Sequence, residues 1–361
     1  MINKMKLETA ISQAGVDAPK YLGEGAWHYA WKVLKDGREF VLRIPKETAY
    51  GKPVPYNEAA MKAEYGGTEL YYTSVNKAVK GAAPEYFTYY VSEELTYTLE
   101  SFAGIPIDLS AITEETAFRT GKDIGEIYRK TEDIPHGLNG FGFLTWSETG
   151  GLQGSIAGDA REGIKEESEE QLADYQLLCA ARPEFRDEMV SRAIRLAIGL
   201  RQQRFTAPFL TNQDASPENI LMNGQQVCLI DPYPIIYYPR GMASNFMNLY
   251  ETFFIALSNT DRYKKHEFAA HAETLKRIAD GFLAGYSAGN PEIAREVKGE
   301  QLLQLLETAF SHFQLLQEEL TEEAEIRYGN KKDIAERLIG FSKELNRLAA
   351  FEFSPPINLK E

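Results

Sequence analysis

Cysteine is nearly absent from this chain of 361 residues: only Cys179 and Cys228 occur, both among apolar neighbours. That excludes a disulfide framework and a cysteine zinc site, and it predicts two buried free thiols in a reducing cytoplasm. Histidine is also scarce, with five residues scattered at 28, 136, 266, 271 and 312 and no zinc-motif spacing. Basic residues are outnumbered, 39 Lys and Arg against 53 Asp and Glu, for a net charge of −14. A nucleic-acid partner needs clustered positive charge, so none is expected. The acidity suits solubility, and it is compatible with a cationic small substrate drawn to an acidic cleft. No apolar run reaches the 18 or so residues of a membrane span, and the first nine residues lack the apolar centre of a signal peptide. Internal repeats and low-complexity tracts are missing too.

What is present is a hydrophobic fraction of 43%, enough for two packed domains. The richest stretch runs from Leu210 to Asp231. Ile220-Leu-Met222 and Val227-Cys-Leu-Ile230 read as two apolar strands, and Asn223-Gly224 opens the tight turn between them. Asp214 and Asn219 then lie in the loop entering the hairpin, and Asp231 sits at its exit. Two carboxylates and an amide at one end of a hairpin can hold a magnesium ion against a polyphosphate while a carboxylate orients a hydroxyl. The plain alternative is a hairpin with solvated acids in its turns.

Upstream, Gly23-Glu-Gly25 marks a turn where backbone can approach phosphate oxygens. Asp36-Gly37 marks another, and Glu39 to Ile44 follows as a strand. There Val41 and Arg43 share a face, since side chains alternate. Arg43 stays charged and can hold two oxygens at once; Lys46, beyond Pro45, is the second choice of cation. A helix starts at Asn57, a good N-cap, with Gly66-Gly67 blurring its later course. Residues 85–92 and 95–102 pair as aromatic and β-branched strands, and Ala103-Gly104-Ile-Pro106 follows. After residue 110 the pattern is mainly helical. Helices are expected from Thr113, over 188–205 with Met189, Ala193, Ile194 and Ala197 packing, and over 265–286, 299–319 and 332–350. Residues 146–160 read as a flexible loop, 161–180 as a charged helix face or a lid, and 353–361 as a mobile tail.

The spacing D-x-x-x-x-N, then an aspartate after a short hairpin, resembles the active-site loops of the aminoglycoside phosphotransferase-like family, which has a protein-kinase-like fold. The family's loop usually reads H-G-D; here Asn212 and Gln213 precede Asp214, and Asp231-Pro232-Tyr233 stands where protein kinases have D-F-G. The resemblance implies an α+β, two-lobed fold with a small β-rich N-lobe (1–102, nucleotide-binding) and a larger, mainly helical C-lobe (103–361, catalytic loop, metal site and acceptor pocket). It implies ATP and Mg2+ as cofactors and transfer of the γ-phosphoryl group to a small-molecule hydroxyl, such as a cationic antibiotic or amino alcohol. Asp214 would be catalytic, and Asn219 and Asp231 would hold the metal. Gly23, Gly25, Val41 and Arg43 would hold the nucleotide. Glu64, or else Glu69, would brace Arg43. Glu100, Ser101 and Phe102 would offer backbone groups to the adenine edge. The family's G-D-P-x-x-D brace is absent, with Asn245 or Asn248 in its place. Asn212 and Pro232 keep a second reading open, a nucleotide-binding regulator without turnover.

Overall fold

The computed structural model describes residues 4–352, so the expected tail at 353–361 lies outside the described residues. The chain divides into two compact units. Among the described residues, the first joins 4–108, 130–157 and 209–236; the second joins 109–129, 158–208 and 237–352. This differs from the expected division at 102/103. The hairpin carrying Asp214, Asn219 and Asp231 belongs to the compact unit of the N-terminal sheet.

The first unit opens with helix α1 (Lys4–Ala14) and strands β1 (Asp17–Glu24), β2 (His28–Lys35) and β3 (Arg38–Pro45). A two-stranded ribbon, β4 (Thr48–Ala49) and β5 (Lys52–Pro53), leads to helix α2 (Glu58–Ala78). Strands β6 (Phe87–Val91) and β7 (Thr96–Ser101) complete an antiparallel five-stranded sheet in the order β1-β2-β3-β7-β6. Alternation sorts its two faces. Phe40, Leu42 and Ile44 of β3, with Tyr97 and Leu99 of β7, pack with Ala10 and Ala14 of α1 into a buried core. Each such aliphatic burial stabilises the fold by about 1.5–3 kcal/mol. Val41, Arg43 and Glu100 take the opposite face.

Helix α2 starts as expected, with the Asn57 side chain accepting from the Ala60 amide at 3.0 Å. It runs unbroken through Gly66-Gly67. At Gly67 a Cβ would sit 2.7 Å from Leu144 Cδ1, so the missing side chain admits a neighbouring strand. That strand belongs to the hairpin β9 (Phe141–Ser147) and β10 (Gly151–Ile156), which follows the short strand β8 (Ile105–Pro106). The expected flexible loop at 146–160 is therefore corrected: β10 pairs with β9 from Gly151↔Ser147 onward, and Lys62 of α2 covers the Trp146 ring at 4.2 Å. Strand β11 (Phe209–Asn212) leads to the hairpin β12 (Ile220–Asn223) and β13 (Gln226–Leu229), whose register closes at Asn223↔Gln226 with Gly224 at φ +63°. Strand β14 (Pro234–Tyr237) joins β9 and β11 in the sheet β10-β9-β14-β11.

The second unit is helical: α3 (Glu114–Thr131), α4 (Ala160–Ala181), α5 (Glu188–Arg204), α6 (Pro239–Asn248), α7 (Phe254–Ala256), α8 (Ala272–Ser287), α9 (Pro291–Gln317), α10 (Glu322–Tyr328) and α11 (Lys331–Glu352). Ala193, Ile194 and Ala197 of α5 pack with Leu302, Leu306, Leu338 and Phe341 in one core. Met189, expected among them, is 42% exposed in the first turn of α5. Helices α3 and α8 cross closely: a Cβ on Gly121 or Gly285 would lie 1.9 or 2.0 Å from the Ile278 or Lys122 carbonyl oxygen. Inside this unit Arg201 is fully enclosed. Its Nε meets Glu300 Oε1 at 2.8 Å, and its Nη1 meets Glu167 and Gln171 at 3.0 Å each. Tyr237 donates to Glu167. The charged helix expected at 161–180 is α4, and its Glu167 is thus part of an internal network.

Candidate active site

Strand β3 delivers Arg43 to the face where β7 and the loop after β13 meet it. Its Nη1 lies 2.8 Å from Asp231 Oδ1, and its Nε and Nη2 lie 3.1 and 2.9 Å from Glu100 Oε1. Burial works against the guanidinium charge, but Asp231 and Glu100 outweigh it and hold the group charged. The expectation that Glu64 braces Arg43 is therefore corrected. The partner is Glu100, which register places beside Val41 on the same face as Arg43. Glu100 is buried and its carboxyl is raised, chiefly by desolvation, with Arg43 opposing. Glu64 stays open to water on one side. Desolvation and the Asp231 charge push its carboxyl up to about 7 against the pull of Arg43. Glu69 is exposed on the same helix. Lys46 pairs with Glu24 at 3.3 Å, which leaves Arg43 as the cation beside Asp231.

The hinge expectation also shifts. Glu100 is a strand residue paired on both sides, to Val41 and to Phe87. The Ser101 and Phe102 amides donate to the Tyr86 and Glu39 carbonyls at 2.9 and 3.1 Å, so neither is available to a base edge. Gly25 lies in the turn between β1 and β2, its amide donating to the His28 carbonyl at 2.9 Å, while Gly23 falls inside β1, paired with Ala30; open space stands where each Cβ would be.

The loop of Asp214 is held by Asn212. Its Oδ1 accepts from the Asp214 and Tyr233 amides at 3.1 and 2.9 Å, and its Nδ2 donates to the Asp214 carbonyl at 2.7 Å. One buried amide thus fastens the Asp214 loop to the segment after Asp231. Asn248, considered for that task, donates to Thr308 Oγ1 instead. Asp214 is open to solvent yet crowded. Desolvation raises its carboxyl, the Ser216 amide opposes, and Asp231 adds to the rise. The Asn219 amide nitrogen donates to the Asp231 carbonyl at 3.3 Å. Asp214, Asn219 and Asp231 thus come together with Arg43 inside one compact unit.

Other residues join them without having been singled out. Tyr72 of α2 donates to Glu100 Oε2 at 3.0 Å and accepts from the Asp231 amide at 2.9 Å. His28 lies 3.0 Å from the Tyr65 hydroxyl, and burial lowers its imidazole to about 4. Tyr65 and Tyr72 are seven apart on one helix, a spacing that placed them on one face but named no task. Phe143 and Tyr233 form an exposed aromatic pair, with ring centroids 5.7 Å apart, directly after Asp231.

No protein-family model matches the sequence, and no curated protein does. Solved structures do match. The apo form of a thermostable mutant of aminoglycoside phosphotransferase APH(4)-Ia aligns over 96% of this chain and 99% of that one, at 18% identity and a TM-score of 0.51. The chain has a protein-kinase-like fold. Two further thermostable mutants of that phosphotransferase are similar. One is a ternary complex with ADP and hygromycin B (17% identity, 95% of this chain and 98% of that one, TM-score 0.53). The other is a ternary complex with AMP-PNP and hygromycin B (16% identity, 96% and 99%, TM-score 0.54). The α+β class expected from the sequence is thereby shown, with a β-rich N-terminal region and a mainly helical C-terminal part. No helix among the described residues is long and apolar enough to cross a membrane.

Proposed function

We propose that this protein is an ATP-dependent kinase that transfers the γ-phosphoryl group to a hydroxyl of a small molecule. The observation that carries the reading is the gathering of Asp214, Asn219 and Asp231 with the largely buried cation Arg43. Asp214 orients the acceptor hydroxyl and takes up its proton, a task suited to a carboxylate raised above its ordinary range. Arg43 clamps phosphate oxygens, with Glu100 fixing its fork. Val41 covers the base from the same face as Arg43, and Gly23 and Gly25 leave room for the phosphates. Backbone groups at Ala103 and Gly104, the next after Phe102, meet the adenine edge.

The donor set suits magnesium. Asp231 offers a carboxylate, and the amide bond of Asn219 to the Asp231 carbonyl leaves the Asn219 oxygen for a cation. Among the described residues no three His, Cys, Asp or Glu side chains form a protein-only cage. That accords with a cation that completes its shell with phosphates and water. Bound there, it would neutralise charge on the phosphates. The acceptor stands near Asp214, where Phe143 and Tyr233 offer an exposed aromatic surface. Rings beside carboxylates favour a cationic acceptor such as an amino alcohol or a basic antibiotic. Asn212 supports turnover over a regulator that only binds nucleotide, since it braces the Asp214 loop through both its amide atoms.

The test is a metabolite and antibiotic panel read by ADP release, followed by Asp214→Asn on the acceptor found. The variant is expected to lose about 10²–10⁴-fold in kcat with ATP affinity nearly unchanged. Full turnover by Asp214→Asn would sink the assignment.

A further inference from the structure

Asp231 occupies a position that its backbone does not favour. Its φ is +48°, a left-handed conformation few L-residues adopt. The next residue is Pro232, which has no amide hydrogen. The segment is therefore pinned by the amides on either side of the proline. The Tyr233 amide goes to Asn212, and the Asp231 amide goes to Tyr72 Oη at 2.9 Å. Tyr72 is buried, its ring stands edge-on to Phe87, and its hydroxyl donates onward to Glu100 Oε2 at 3.0 Å. Glu100 holds Arg43, and Arg43 returns to the Asp231 carboxylate at 2.8 Å. Four residues from β3, α2, β7 and the loop after β13 thus form a closed ring, and the tyrosine hydroxyl uses both its donor and its acceptor capacity in it.

We infer that Tyr72 is a positioning residue, which holds Asp231 in its left-handed conformation and couples it, through Glu100, to the cation that clamps phosphate. The inference deepens the kinase reading and rests on it. Tyr72 touches neither nucleotide nor metal in this scheme. It sets where the Asp231 carboxylate stands when a magnesium-bound nucleotide arrives. Removing its oxygen leaves the Arg43–Glu100 pair in place but frees the Asp231 amide. The consequence is selective: the part of nucleotide affinity that depends on magnesium suffers, and the part that depends on Arg43 alone does not.

The experiment uses Tyr72→Phe in the full chain. ATP binding is titrated calorimetrically in excess EDTA and in excess magnesium, and amide hydrogen exchange over residues 229–233 is followed in ligand-free protein. Expected are ATP affinity in EDTA within twofold of wild type, a magnesium-dependent gain in affinity reduced about tenfold, and faster exchange over 229–233. Glu100→Gln, which takes the charged acceptor from the Tyr72 hydroxyl, is expected to speed the same exchange and serves if Tyr72→Phe does not fold. Unchanged exchange in whichever variant folds, or equal loss of affinity with and without magnesium, overturns the positioning role. Wild-type protein that binds no ATP in either condition overturns the kinase reading instead, and the inference with it.

Discussion

Two arginines, one in each compact unit, show how similar chemistry serves different ends. Arg201 is fully enclosed; its partners Glu300, Glu167 and Gln171 all stand on its own unit's helices, with Glu300 2% and Glu167 30% exposed. Arg43 is 15% exposed, and of its two carboxylates Glu100 is 4% exposed while Asp231 is 56% exposed. The first network fills the Arg201 fork with side chains of packed helices and holds those helices together. The second has one end in water, where a ligand can exchange for protein. A buried arginine is thus a brace when side chains of its own packed helices fill its fork, and can serve as the proposed clamp when one of its two partners stands mostly in water.

Exchanging each arginine for lysine separates the two roles, because an ammonium keeps the charge but loses the planar fork. Arg201→Lys has the larger effect. It leaves acceptors on Glu300, Glu167 or Gln171 unmatched in the interior, and unfolding stability is expected to fall by about 3 kcal/mol. ATP affinity of the folded protein should not move. Arg43→Lys is expected to do the reverse. Chemical denaturation should shift by less than about 1 kcal/mol while ATP affinity drops about fivefold, near 1 kcal/mol. Equal stability losses at both positions would erase the distinction between brace and clamp.

The smallest effect concerns His312, a buried histidine of the helical unit. Its Nδ1 bonds to the Thr308 carbonyl at 2.8 Å, and its Nε2 has no hydrogen-bond partner. Desolvation lowers the imidazole to about 4 from 6.5. A histidine lowered by folding stabilises the fold above its unfolded value and loses that contribution as pH falls through 6.5 toward 4. At about pH 5.5 the loss amounts to about 1 kcal/mol. His312→Phe should remove this acid-side slope in urea melts between those pH values. An unchanged slope would place the acid sensitivity elsewhere.

The sequence was most informative where contacts are local. Asp214, Asn219 and Asp231 surround a single hairpin, so strand alternation and an Asn-Gly turn were enough to bring them together. Asn57 capped its helix because capping reads only the next few residues. The brace of Arg43 was illegible for the opposite reason. Glu100 is 57 residues away, and only the pairing of β3 with β7 places it beside Val41. The family resemblance pointed to a helix glutamate, Glu64, but carried no information on which carboxylate the sheet would turn inward. The glycines at 66 and 67 looked like weak points because propensity ignores the strand that needs the space. The hairpin at 141–156 was missed since Gly151, Gly154 and Ser155 lower strand propensity, while pairing with β9 supplies what propensity lacks.

The left-handed backbone at Asp231 has an evolutionary corollary. A single base change in an aspartate codon reaches Asn, His, Tyr, Ala, Gly, Val or Glu. Of these, glycine settles most comfortably into that backbone region, with asparagine next. In the proposed metal-holding role, asparagine would keep an oxygen for a cation, whereas glycine would relieve the backbone and discard the ligand. Under that proposed role, the easiest inherited change at this point preserves the architecture and silences the chemistry, so descendants without activity should still fold.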